Sequence, residues 1–244
     1  MGAFHDSVVE TIAGWIVSSR FPAGAALPVE QAIGDELSAS RTTVREALKT
    51  LSAKGLVRVG PRIGTRVLPP DHWNLLDPQV VAWRLKAPVT RELINDLVEM
   101  RLMIEPAAVE LAALKARPTD IASIHAALSA MRRAVEGEGS YIEADLAFHG
   151  GILRASGNQF LVQLAPIVGA VLRLSFELSV TSPDNARASL PDHAAVLDAI
   201  EERDAGAARE RLVAIILASR RDMEHVLPAE SGAASAPKRV VLEA

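Results

Sequence analysis

The stretch that decides the fold is SRTTVREALKTLSAKGLVRVGPRIGTR, residues 40–66. It opens with Ser40, whose hydroxyl can cap the N-terminus of a helix, and Gly55 stands where a helix commonly ends on a left-handed residue. One face of the predicted helix repeats an apolar residue at helical spacing: Val44, Leu48 and Leu51. Two short β-branched segments, 56–59 and 65–68, flank a Gly-Pro-Arg-Ile-Gly turn. A helix followed by a small hairpin predicts a winged helix.

The charges of this stretch favour a nucleic-acid partner. Residues 41–66 hold seven Lys or Arg and a single acid, Glu46. Arg41 and Arg45 lie one helical turn apart, away from the apolar face, where arginine can read base edges. The alternative is a solvated helix, but such helices usually mix both signs of charge.

The longer stretch 27–67, LPVEQAIGDELSASRTTVREALKTLSAKGLVRVGPRIGTRV, resembles the DNA-binding domain of GntR-type bacterial transcription factors. That family has a leucine-proline-x-glutamate opening, a serine-arginine-x-x-valine-arginine-glutamate-alanine-leucine helix and a glycine-tipped wing. Gln31 departs from those relatives that place arginine after the glutamate. The resemblance implies base and phosphate contacts to double-stranded operator DNA from these residues: Gln31, Arg41, Thr42, Thr43, Arg45, Arg62, Gly64 and Arg66.

Composition sets limits on the remaining possibilities. The 244 residues suffice for one or two domains, and the lack of cysteine excludes disulfides, zinc ribbons and thiol catalysis. No apolar run is long enough to span a bilayer and no secretory signal is visible, so we expect a cytoplasmic protein with no membrane partner. Residues 1–70 carry eight basic and six acidic side chains, against 26 and 30 in the whole chain. A basic head is therefore joined to an acidic body.

The periodicity beyond the head predicts a mainly α fold. We expect a winged helix-turn-helix domain over 1–68, a proline-rich linker over 69–76, an all-helical bundle over 77–227 and a disordered tail over 228–244. Within the head, two helices should precede the stretch at 40–66, at 5–19 and 28–37. The longer helices of the body are expected at about 90–116, 119–136, 139–156, 158–181, 186–202 and 205–226.

The body resembles the FCD-type effector-binding domain of the FadR branch of GntR regulators. The segment WNLLDPQVVAWRL, residues 73–85, is most similar to the sugar-acid-responsive members of that branch. The resemblance implies a homodimeric repressor that a sugar acid such as galactonate releases from its operator. Other organic acids, such as gluconate or a dicarboxylate, are the alternative effectors.

Three residues suggest a metal site. Asp145 and His149 are four residues apart on one predicted helix face, and His193 begins another helix. From the residues alone, an Asp-x-x-x-His pair is more often a local hydrogen bond. The resemblance implies a divalent metal such as zinc, nickel or manganese, because many FadR-branch bundles bind metal through such a pair and two later histidines. Ile215 stands near the fourth position, so we expect weaker metal binding that the effector anion completes.

The expected effector contacts are Arg101, Arg173 and Asn158. Arg101 interrupts an apolar stripe and needs an anion, which is either Glu105 four residues on or an effector carboxylate, as the family implies. Arg173 lies in a strongly apolar run and is expected to reach the cavity. Asn158 follows Gly157, so a helix cap is its main alternative role.

A small metalloenzyme is the rival class, since an open metal site can activate water. The sequence has no HExxH motif and no evident general base beside the metal ligands, so we expect a regulator and no enzyme. In a further alternative the protein is a regulator whose metal site is vestigial.

Overall fold

The computed structural model describes residues 2–86, 90–178 and 183–226. The head contains α1 (Gly2–Val17), α2 (Glu30–Leu37), α3 (Arg41–Ala53), β1 (Val57–Gly60) and β2 (Gly64–Val67). The following helices are α4 (Pro78–Lys86), α5 (Arg91–Lys115), α6 (Pro118–Val135), α7 (Tyr141–Ala155), α8 (Gln159–Gln163), α9 (Ala165–Leu178), α10 (Pro183–Glu201) and α11 (Ala205–Val226). The predicted winged head and all-helical body are both confirmed, whereas the tail expected from 228 lies outside the described residues.

Helix α3 begins and packs as its sequence predicts. The Ser40 hydroxyl accepts a hydrogen bond from the Thr43 amide at 3.1 Å, which caps the first turn. The apolar face of α3 is fully buried against α1, where Val8, Val9, Ile12 and Ile16 form the matching stripe. Because this face is fixed in the core, Arg41 and Arg45 are left on the exposed side of the helix.

The wing is an antiparallel pair in which Val57 faces Val67 and Gly60 faces Gly64. Alternate residues of β2 point inwards, so Thr65 and Val67 are buried while Arg66 is exposed. Arg62, in the turn between the strands, has a positive φ of 68° and is exposed. With Arg58, which is exposed on β1 opposite Arg66, the hairpin thus carries three arginines on its outer surface.

The linker expected over 69–76 is docked on the head. The Trp73 indole donates to the Leu68 carbonyl at 3.0 Å, and the Asn74 amide donates to the Lys54 carbonyl at 2.9 Å. Helix α4 continues this attachment, because its Val80 and Trp83 are buried in the same core as α1 and α3. The apolar core of the head therefore extends past residue 77, the position at which the sequence predicts the start of the body.

A second core holds the body together. Helix α5 packs along α11, α6 along α7, and α10 against both α6 and α11. The single helix expected over 158–181 is divided into α8 and α9, since Pro166 lacks the amide hydrogen needed to continue α8. Residues 179–181 of that expected helix lie outside the described residues. Within the described ranges, no helix is long and apolar enough to cross a membrane.

Gly55 provides a test of how tightly the linker is docked. Gly24 and Gly55 share a positive φ of 81°, but a Cβ at Gly24 would meet open space, whereas one at Gly55 would overlap the His72 carbonyl oxygen. Gly24→Ala should cost about 1–2 kcal/mol of unfolding free energy for its backbone conformation alone. Gly55→Ala should cost at least about 1 kcal/mol more, measured by urea denaturation. Equal losses would contradict a linker fixed against Gly55.

Candidate functional site

Asp145 and His149 on α7 and His193 on α10 come together inside the body. All three residues are buried, and one potential donor atom from each lies within 4.8 Å of the others. Asp145 Oδ1 is 3.0 Å from His193 Nε2 and 3.8 Å from His149 Nε2. The four-residue spacing on α7 and the packing around Phe148 place both imidazoles beside one carboxylate. A carboxylate and two imidazoles are a donor set that suits a divalent transition metal.

Hydrogen bonds at the far side of each imidazole orient the two Nε2 atoms. His193 Nδ1 is 2.8 Å from the Ser189 carbonyl oxygen, and His149 Nδ1 is 2.6 Å from Glu105 Oε2. A carbonyl and a carboxylate only accept, so each Nδ1 carries the proton. Among the described residues neither Nε2 atom has a hydrogen-bond partner, because the close Asp145 oxygen does not meet hydrogen-bond geometry. Metal-binding histidines are held by outer partners in this way.

The charges of the cluster favour a cation. Burial raises the pKa of Asp145, but His149, His193 and Arg101 outweigh it and lower that pKa below its usual value. Burial likewise opposes ionisation of Glu105, yet Arg101 and His149 lower its pKa to about 2. Burial lowers the pKa of His193 and Asp145 raises it, with a net increase. A metal ion would therefore bind the ionised Asp145 carboxylate and would compete with a proton for His193.

Arg101 combines the two roles considered from the sequence. Its side chain is fully buried, and its Nε donates to Glu105 Oε1 at 2.5 Å. Its Nη1 has no hydrogen-bond partner in the part of the chain that the structure describes, although most buried polar atoms have one. Arg101 also lines the cavity that contains Asp145, His149 and His193. It is therefore ion-paired on one side and available to a ligand on the other.

The cavity beside the cluster has an accessible volume of about 100 Å³ and is open to solvent at its mouth. Leu172, Phe176 and Ile215 form apolar parts of its wall. Its further polar residues are Tyr141, Asn185, Ser189, Asp192, Ser219 and Asp222. This lining, in which polar side chains converge beside apolar walls, suits a small polar organic ligand.

Two expected effector contacts need correction. Arg173 does not reach the cavity: half its side chain is exposed, and its Nη1 donates to Glu143 Oε1 at 2.7 Å. Helix α9 turns Leu172 inwards, which leaves residue 173 on the outer face. The Asn158 side chain accepts from the Phe160 amide at 2.9 Å and caps α8, so it is a structural residue.

The sequence did not reveal the full role of Glu105 or the cavity wall. Glu105 was considered only as a partner of Arg101, yet it also holds His149, 44 positions away. Tyr141 and Ser189, whose oxygens are 2.5 Å apart, were not singled out. A usable signal existed for Ser189, since it lies four residues before His193 on the same helix.

One surface of the head gathers most of the residues that we expect to contact DNA. Arg41, Arg45 and Thr42 are exposed on α3, and Gln31 is exposed on α2. Glu30 of α2 joins both arginines, with Arg45 Nη2 at 2.6 Å and Arg41 Nε at 3.3 Å from its Oε2. The sequence does not predict these ion pairs of Glu30 with the two arginines. Glu30 keeps the two arginines beside each other on one surface.

Of the remaining residues expected to contact DNA, some already form hydrogen bonds within the protein and others are exposed to solvent. The Thr43 hydroxyl lies 2.8 Å from that of Ser40, at the helix cap. Arg66 Nη1 donates to the Gly24 carbonyl at 2.9 Å, which anchors the wing to the head. Arg62 and Gly64 are exposed at the turn of the wing. The structure thus places the tip of the wing and the start of α3 in solvent.

A winged helix-turn-helix head joined to a helical body with a polar cavity defines a class of DNA-binding regulator that responds to a small molecule. Residues 4–67 match the family "Bacterial regulatory proteins, gntR family", and residues 96–218 match the FCD domain. The chain belongs to the gntR family of bacterial regulatory proteins and is a transcription regulator.

Curated relatives agree with this family over nearly the full chain. The galactonate operon transcriptional repressor of Escherichia coli strain K12 is 31% identical over 222 residues, covering 91% of this chain and 97% of that protein. The uncharacterized HTH-type transcriptional regulator YieP of the same strain is 35% identical over 211 residues, covering 86% and 90% respectively.

A solved structure shares the fold. It is described with the words "Lar controls the expression of the Listeria monocytogenes agr system" and aligns with a TM-score of 0.69. The alignment covers 91% of this chain and 97% of that chain at 16% identity. The likeness is one of architecture.

Glu105 can be tested separately from the metal ligands. Glu105→Gln keeps the shape of the side chain but removes the charge that pairs with Arg101 and orients His149. We expect the affinity for Zn²⁺ or Ni²⁺ to fall about 10–100-fold, measured by calorimetry, because the outer partner of a ligating histidine is altered. Glu99→Gln, at an exposed site on the same helix, is the matched control. Unchanged metal affinity in Glu105→Gln would contradict the bridging role.

Proposed function

We propose that the protein is a homodimeric repressor that leaves its operator when a sugar acid binds beside a metal ion in the body. The observation that carries the proposal is one shared cavity. The unpartnered Nε2 atoms of His149 and His193 and the unpartnered Nη1 of Arg101 belong to residues that line it together. A hydroxy acid offers both a carboxylate for Arg101 and oxygen ligands for a metal.

Asp145, His149 and His193 would hold the ion. Their mixed oxygen and nitrogen donors suit zinc, nickel or manganese. Ile215, which also lines the cavity, provides no donor atom there. A divalent ion held by three protein ligands would supply positive charge and open coordination positions for effector oxygens. Arg101 would orient the same effector through its free Nη1.

Operator recognition is assigned to α3 and the wing. Arg41 and Arg45 would enter the major groove and read bases after exchanging Glu30 for acceptors on guanine. Thr42, Thr43, Arg62, Gly64 and Arg66 would position the phosphate backbone, and Gln31 would contact a base or phosphate from α2. Two heads of a homodimer would bind the two halves of a pseudo-palindromic site.

The packing of α4 supports a physical connection between effector and head. Leu172 and Phe176 of α9 line the cavity, and α9 packs on α4. Helix α4 is attached to the head by its buried Trp83 and by the ion pair of Asp77 with Lys54, at the end of α3. We infer that effector binding shifts α9 and α4, and with them the angle between the two recognition helices.

A second proposal keeps the regulator but has a different acid as effector and a vestigial metal site. In that case the close approach of His193 to Asp145, at 3.0 Å, is an internal ion pair. Each imidazole donates from its Nδ1 to a protein oxygen, which leaves its Nε2 to bind a metal ion. This arrangement favours the metal-dependent proposal. Hydrolysis at this metal is not proposed, since the relatives reported above are transcription regulators.

The direct test is fluorescence anisotropy of the protein on DNA from upstream of its own gene, titrated with galactonate. We expect galactonate to release the DNA and a chelator to abolish that release. Release that persists in chelator would support the vestigial-site proposal. Tight DNA binding that no sugar acid reverses would contradict the proposed effector class.

His149→Ala should abolish the response to the effector while leaving operator binding intact. It removes one donor from the cavity and lies on α7, outside the head, so operator affinity should stay within about twofold of wild type. The response to galactonate should be lost, together with stoichiometric metal measured by elemental analysis. A variant that remains inducible would refute the metal-dependent mechanism.

Arg45→Ala should weaken operator binding and relax base preference, at a cost of about 1–3 kcal/mol, while galactonate affinity is unchanged. Arg211→Ala removes one positive charge from an exposed site on α11 and serves as the control. Competition with scrambled DNA measures the preference. An equal loss on every DNA sequence would make Arg45 a phosphate contact.

A further inference from the structure

We propose that the cavity selects an acid with one carboxylate and several hydroxyls, and that Asp222, assisted by Asp192, rejects a second carboxylate on the ligand. The inference rests on the proposed function and narrows its ligand class. It would make the protein a sensor of aldonic acids that discriminates against the corresponding dicarboxylic acids.

The first support is the balance of charge around the cavity. Among the described lining residues Arg101 is the single Lys or Arg, whereas three are aspartates: Asp145, Asp192 and Asp222. Arg101 is moreover shared with Glu105. One carboxylate on a ligand can therefore be matched by Arg101 and a metal ion. A second carboxylate would meet no further cation along the described wall.

The sequence of the connection between α9 and α10 adds no positive charge to the cavity's one arginine and three aspartates. Residues 179–182, which lie outside the described ranges, read SVTS in the sequence. They contain no basic residue that could pair with a second carboxylate.

The hydrogen-bonding capacity of the wall favours hydroxyl groups. The Ser189 hydroxyl donates to the Ala186 carbonyl at 3.0 Å, so the proton shared over 2.5 Å with Tyr141 belongs to the tyrosine. Burial raises the pKa of Tyr141, which keeps that proton in place. The Tyr141 oxygen, Asp192 and Asp222 are therefore left with lone pairs to offer. Ligand hydroxyls can donate to these acceptors, whereas a carboxylate cannot.

Asp222 is the main determinant because it carries a full charge at the exposed side of the cavity. It is exposed on α11. Asp192 adds a second charge from α10, next to the metal ligand His193. Because both aspartates line the cavity and are partly screened by solvent, each charge should change the affinity for a like-charged group about three- to tenfold.

The experiment compares two ligands of one carbon skeleton on metal-loaded protein. Galactonate has a terminal hydroxymethyl group where galactarate has a second carboxylate. Calorimetry on the wild type should give galactonate an affinity at least about tenfold higher than that of galactarate. Asp222→Asn should strengthen galactarate binding about three- to tenfold and change galactonate binding less than about twofold.

Two further variants complete the design. Asp198→Asn removes a charge from an exposed site on α10 outside the cavity and should leave the ratio of affinities unchanged. Asp192→Asn should shift the ratio in the same direction as Asp222→Asn, with metal content measured in parallel.

The outcomes separate this inference from the proposed function. Equal binding of both acids by the wild type, or an unchanged ratio in Asp222→Asn, would overturn the selectivity while leaving the effector class intact. Binding of neither acid would overturn the proposed effector class as well. An equal shift in Asp198→Asn would show a general charge effect and would refute the role of Asp222.

Discussion

Glu105 is the buried carboxylate on which the interior of the body depends. It pairs with Arg101 on its own helix and hydrogen-bonds His149 on α7, where all three side chains are almost completely excluded from solvent. Removing an isolated charge from water costs several kcal/mol, so Arg101 and Glu105 are stable there only as a pair. The network fixes the rotamer of His149 and leaves one nitrogen of Arg101 unused. The proposed effector site is thus built on a structural ion pair.

In both the head and the body, a glutamate pairs with the arginines that we assign to a ligand. In the head, Glu30 holds Arg41 and Arg45, and in the body Glu105 holds Arg101, so each cation that we assign to a ligand already has a protein carboxylate. An exposed pair is weak and exchanges readily with water and DNA, whereas a buried pair is retained. We therefore expect Glu30 to yield its arginines to the operator, and Glu105 to keep Arg101 while the effector takes the free Nη1.

The sequence predicted the head more fully than the effector site. Helical spacing, a Ser cap and a glycine-bounded hairpin are local signals, and α3 and the wing follow them within one or two residues. The convergence of Asp145, His149 and His193 was suggested by family resemblance, and the helix packing brings them together. Arg173 was misplaced because an apolar run does not say which face of α9 points outwards. The bridge from Glu105 to His149 spans 44 positions, and no local pattern encodes it.

The central claim is that one cavity holds a metal ion and a sugar acid through Asp145, His149, His193 and Arg101. Anomalous diffraction from crystals grown with Zn²⁺ and galactonate tests it most directly. The account predicts a zinc peak at bonding distance, about 2.0–2.2 Å, from Asp145 Oδ1 and both Nε2 atoms. A galactonate carboxylate should lie within hydrogen-bond reach of Arg101 Nη1. Zinc bound elsewhere, or galactonate outside this cavity, would contradict it.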